Sequence, residues 1–169
     1  MEAGPVDRGV RRIVKRRVEQ LRPLIPAPWD MNVFLDQLEQ ARNRPIDLCE
    51  LHWAPGDSTG AWRAMPDHDV IAYPTNTSPW HQDVIILHEI GHMLPQHAGH
   101  CVLTNQRAQQ LAPDLKPAAF MHLLTSTTGA AEEQEAEAFA RSMITQIEHH
   151  RHRRTPRGGL RGRVEAAFG

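Results

Sequence analysis

Residues 88 to 92 read His-Glu-Ile-Gly-His. On a helix, positions four apart stand on one face, so His88 and His92 can turn two imidazoles toward one metal ion. Glu89 lies about 100° around the helix from His88. From there it reaches a water beside the metal and can take its proton as general base. Zinc lowers the pKa of water and polarises a carbonyl, so the chemistry implied is metal-assisted hydrolysis of a peptide bond. The pentapeptide alone is weak evidence. The chain holds 11 His and 11 Glu in 169 residues, and a shuffled version would show the pattern roughly one time in twenty. A helix, a third ligand and a suitable fold have to supply the rest.

The helix is well signalled. Ser78-Pro79 is a serine N-cap followed by proline at the first helical position. The helix is expected over 78–94, with Val84, Ile85, Leu87 and Met93 as apolar cover and Pro95 as its stop. Gly91 is costly there, by about 1 kcal/mol relative to alanine. Something must approach the backbone closely at that point, and a strand or a substrate is a candidate.

A catalytic zinc needs a third protein ligand. The metzincin pattern would place Gly at 95 and His at 98, but the chain has Pro95 and Ala98. The other common source is a glutamate on a later helix, and the helix expected over 130–149 offers Glu132, Glu133, Glu135 and Glu137. Its apolar face is Ala136, Phe139, Ala140, Met143, Ile144 and Ile147. Glu132 and Glu133 flank that face, whereas Glu135 points well away, toward solvent. Glu132 is favourable at a helix N-terminus without a metal. Glu133, turned toward a core, needs a partner and is assigned as the third ligand. Glu137, one turn on, is expected to accept a hydrogen bond from a ligand imidazole. Hydrolysis also needs a donor for the oxyanion. Tyr73, His97, His100 and His122 are candidates, with His97 nearest in sequence. His52, His68 and His81 read as ordinary structural or surface residues.

The elements that must position these residues follow from period and punctuation. A helix is expected over 8–22, with Val10, Ile13, Val14, Val18 and Leu21 at helical spacing. A second starts at Asp30 as N-cap, with Val33, Phe34, Leu38 and Ala41 as its stripe and Pro45 beyond its end. Residues 46–53 alternate as a strand does, and 60–65 and 70–73 read as two more strands separated by turn residues. A short helix is expected at 117–124. The fold class is therefore α+β: mostly helical, with a small antiparallel three-stranded sheet over 46–74 beside the active-site helix. Residues 1–150 form one domain, and 151–169 a flexible basic tail.

Net charge is −1, but both ends are basic and the middle is acidic. Basic ends can hold nucleic acid, yet no stacking aromatics are interleaved with them. A solvated helix face and a loose tail are expected instead of direct nucleic-acid binding. No apolar run approaches the 18 or so residues of a membrane span, and no signal peptide is seen. Cys49 and Cys101 are too few for a disulfide framework. They read as reduced thiols of a cytoplasmic protein.

His88-Glu-Ile-Gly-His92 followed by His97, and then Glu133-Gln-Glu135-Ala136-Glu137-Ala-Phe139-Ala140, resemble the ImmA/IrrE family of zinc-metallopeptidase-like proteins. The resemblance covers roughly residues 45–147. It implies an α+β zincin-like fold with a small sheet beside the active-site helix, and zinc held by two His and one Glu. It implies a partner or substrate of the XRE helix-turn-helix repressor type, or a role in a toxin–antitoxin-like pair. Glu137 stands where the family usually has Asn or Asp, and Ser142-Met143-Ile144-Thr145 stands where it usually has Leu-Leu-Met-Pro. Two functions follow: a zinc-dependent endopeptidase of narrow specificity that acts on such a regulator, or a catalytically silent zinc-binding module that docks on it.

Overall fold

The structure, a computed structural model, describes residues 7–52, 60–97 and 129–154. The helix expected at 117–124, His100, Cys101, His122 and the tail from 155 onward lie outside the described residues.

Helix α1 (Arg8–Leu21) starts on Asp7, whose side chain accepts from the Gly9 N–H, and runs into a single 3-10 turn at Arg22–Leu24. Its inner face is Val14, Val18 and Leu21, and the arginines at 8, 11, 12 and 16 are exposed. Helix α2 (Met31–Arg42) is capped as expected: Asp30 accepts from the Asn32 and Val33 N–H groups. Its buried stripe is Met31, Phe34, Leu35 and Leu38. Val33 and Ala41, expected in that stripe, are exposed. Asn43, left-handed at φ 50°, closes α2. The Asn43 N–H donates to the Gln40 carbonyl and the Arg44 N–H to that of Glu39.

The sheet holds β1 (Ile46–Leu51), β2 (Ala61–Ala64) and β3 (Asp69–Pro74), in the order β1-β3-β2. The α+β class and the three strands agree with the sequence reading, but the sheet is mixed. β2 pairs antiparallel with β3, whereas β1 runs parallel to it, with Ile46 opposite Asp69. The β2–β3 turn is local, closed by the Met65 N–H on the His68 carbonyl, and its proline signals it. β1 pairs with β3 and not with its sequence neighbour β2, and no local signal encodes that choice.

One buried charge ties this sheet to α2. Asp69, at the start of β3, is 1% exposed. Its carboxylate accepts from Arg42, Arg44 and the Trp62 indole at 2.8, 2.9 and 3.1 Å. Arg44 also donates to the carbonyls of Met65 and His68, so it fixes the strand turn, and the two guanidiniums together compensate the charge.

Helix α3 (Pro79–Met93) is capped by the Ser78 side chain, which accepts from the His81 N–H. It lies between the sheet and helix α4 (Ala130–Arg154), and α1 packs on α4 as well. α4 buries Ala136, Phe139, Ala140, Met143 and Ile147, the face expected from their spacing. It continues five residues past the expected end at His149, so the first four residues assigned to the tail, 151–154, are helical. A core of Val18, Phe34, Leu38, Ile71, Leu87, Ile90, Phe139 and Met143, among others, joins both halves. Among the described residues no helix is long and apolar enough to cross a membrane.

Candidate metal centre

The close approach demanded by Gly91 is with α4. A β-carbon at position 91 would stand 2.9 Å from Ala136 Cα and 3.0 Å from its carbonyl oxygen. Neither a strand nor an open substrate space is there; the glycine lets two helices touch backbone to backbone. The consequence is local. His92 follows Gly91, and Glu133 lies one turn before Ala136, so the contact brings the histidine face of α3 against the start of α4.

There His88, His92 and Glu133 converge. His88 Nε2 lies 3.1 Å from Glu133 Oε1, His92 Nε2 lies 3.4 Å from Glu133 Oε2, and the two Nε2 atoms are 3.1 Å apart. Counted to one ligand atom each, the three residues lie within 4.8 Å of one another, a group that could hold a metal ion. The donor set fits zinc. Ligand atoms about 2.0–2.1 Å from a tetrahedral zinc stand about 3.3 Å from one another, close to the separations observed.

Charge follows from this crowding. Hydrogen bonds from His88 and then His92 hold the Glu133 carboxyl well below the usual carboxylate range. Burial opposes charge on His88, but its hydrogen bond to Glu133 and the charges of Glu89, Glu133 and Glu137 offset this and raise its pKa. Glu132 is excluded as a ligand for the expected reason: its carboxylate reaches back to the Gly129 N–H at the start of α4.

Glu89 is 3% exposed. Burial first, and the charge of Glu133 second, push its carboxyl up to about 8, against the opposing effects of His88 and a hydrogen bond from the Trp62 backbone. Its Oε2 is buried with no hydrogen-bond partner among the described residues. A buried carboxyl oxygen without a hydrogen-bond partner is costly.

Three other expectations end elsewhere. The Tyr73 hydroxyl donates to Glu50 Oε1 on β1 at 2.7 Å, which commits it away from the metal ligands. Glu137 pairs with Arg141 one turn along α4, and its charge acts on His88. His97 is buried behind His92, with the two Nδ1 atoms 3.2 Å apart. It therefore faces the back of a ligand ring. Glu135, expected in solvent, is 15% exposed at its side chain, paired with Arg17 of α1 and 3.8 Å from His97 Nε2. A helical wheel drawn from apolar residues misses this, because the second helix packed on α4 presents an arginine there. Arg17 is the one basic residue of α1 that is partly covered, and its pairing across helices is not signalled by the spacing within α4.

The chain matches no protein-family model, no curated protein and no solved structure.

Proposed function

We propose that the protein is a zinc-dependent endopeptidase of narrow specificity. One observation carries the reading: Glu89, next in sequence to His88 and within reach of the charges of His88 and Glu133, has a buried Oε2 with no hydrogen-bond partner among the described residues, while His88, His92 and Glu133 could together hold a metal ion. A purely structural site has no use for a buried carboxylate oxygen held without a partner.

His88, His92 and Glu133 would hold the ion. When bound, zinc supplies Lewis acidity, lowering the pKa of water and polarising a carbonyl oxygen. Burial holds a proton on Glu89 up to about pH 8; a dication held by the three residues would favour the ionised carboxylate, whose Oε2 could then accept the proton of the attacking water and deliver it to the leaving amine nitrogen. The Trp62 backbone N–H holds the carboxylate in place through that exchange. In the metal-free site hydrogen bonds from the two imidazoles already favour the ionised form of Glu133, so it would meet an ion as a carboxylate. The resemblance to the ImmA/IrrE family supports a separate regulator of the XRE helix-turn-helix type as substrate.

Glu89→Gln is the test. Zinc content should match the parent, while cleavage of the regulator in a co-expression assay should fall by at least ~100-fold, the scale of a lost general base. A Glu89→Gln protein that still cuts would overturn the mechanism. One that no longer cuts but keeps its biological effect would favour the silent docking module.

A further inference from the structure

We propose that Arg17, Glu135 and His97 form a positioning chain behind the metal site, which fixes the ring and tautomer of His92 and ties the site to the N-terminal helix. The proposal rests on the metal-site reading above.

The chain begins in how α3 ends. Gln96 is left-handed, φ 57°. The Gln96 N–H donates to the Met93 carbonyl, and the His97 N–H to that of His92, both at 3.1 Å. This paired closure reverses the backbone and returns residue 97 onto residue 92. The His97 ring then meets the His92 ring edge-on, centroids 5.4 Å apart at 71°.

Proton logic assigns each member one role. His92 Nε2 faces Glu133 and His88, so in a metal-holding ring the hydrogen sits on Nδ1. Nδ1 donates to His97 Nδ1, 3.2 Å away. His97 must then carry its own hydrogen on Nε2, the nitrogen that faces Glu135 Oε2 at 3.8 Å. The other Glu135 oxygen is paired with Arg17. Ligand histidines usually rest directly on a carboxylate or carbonyl. Here a second imidazole is inserted, which puts the carboxylate within reach of α1. His97 and Glu135 are largely buried, so their contacts are screened little by solvent.

The test is zinc affinity of the full-length protein by competition with a chromophoric chelator. His97→Leu should weaken binding about 10- to 100-fold, the usual effect of losing a ligand's supporting partner. His97→Asn, whose amide oxygen can accept near the Nδ1 position, should restore most of it. Glu135→Gln and Arg17→Met should weaken binding in the parent but add nothing in the His97→Leu background, because they act through that ring. Equal losses for His97→Leu and His97→Asn, or a Glu135→Gln loss that persists in full without His97, would overturn the proposal. Should His97→Leu fail to fold, the His92 Nδ1–H resonance of the zinc-loaded protein reads the same chain: Glu135→Gln should shift it, and an unmoved resonance would overturn the proposal. A parent that binds no zinc sinks the metal site and this chain together. A parent that binds zinc while every His97 and Glu135 variant binds equally well sinks the chain alone.

Discussion

At the scale of single residues, two polar side chains on the sheet side show how burial sets chemistry. Glu89 sits in a seat with no side chain opposite it: a β-carbon at Gly60 would lie 2.6 Å from Glu89 Oε1 and 2.7 Å from Ile85 Cγ2. Tyr73, on β3, is pushed up to about 12 from 10.0, first by burial and then by its hydrogen bond to Glu50 and that group's charge. Its folded value lies above its unfolded one, so the folded state holds the proton longer and stability must fall as pH rises. That contribution is intact below pH 10 and disappears between about 10 and 12. Urea titrations across this window should show the parent losing more stability than Tyr73→Phe. Parallel losses in the two proteins would refute it. The chain has a single tyrosine, so tyrosinate absorbance reports this group alone. The convergence of His88, His92 and Glu133 was legible in the sequence, because two of them stand four apart on one helix and the third is turned toward the apolar face of another. His97 and Glu135 were not, because a left-handed glutamine and a neighbouring helix place them.

At the scale of elements, helix starts were legible and strand direction was not. Asp30 and Ser78 cap through their own side chains, which is local physics; the parallel pairing of β1 with β3 is not. Gly91 falls between these cases: its cost is visible in the sequence, but its reason is the Ala136 backbone. Replacing it with alanine should raise helix propensity by about 1 kcal/mol. The added methyl would meet main-chain atoms that cannot rotate aside, and overpacking of this kind costs about 1–3 kcal/mol. Gly91→Ala should therefore be no more stable than the parent, and up to about 2 kcal/mol less stable by urea unfolding. Relief requires α4 to move outward, and Glu133 moves with it, so zinc affinity should fall too. A Gly91→Ala protein that gains stability and binds zinc normally would mean that the helix contact does not position the ligand.

At the scale of the whole molecule, the three residues that could hold a metal ion come from two helices far apart in the chain. His92 lies in the last turn of α3 and Glu133 in the first turn of α4, 41 positions later by subtraction of their numbers. An ion held by both would cross-link them. Yet the core that unites α1, α2, the sheet, α3 and α4 is apolar and continuous without it, and Gly91 joins the two helices by packing alone. The fold should therefore survive loss of the metal, unlike small domains whose folding energy is the metal's. A ligand that binds only the folded state at a hundred times its Kd adds about 2.7 kcal/mol, which in a chain of this size moves Tm by about 5–10 °C. Chelation should lower Tm by that order, while helical circular dichroism at 25 °C stays unchanged. In Glu133→Ala, which keeps only the two histidines of one helix, most of the zinc-dependent shift should vanish, because the ion no longer spans the α3–α4 junction. Loss of the helical signal on chelation would make the ion a folding element and the apolar junction insufficient. An undiminished shift in Glu133→Ala would remove α4 from the metal site altogether.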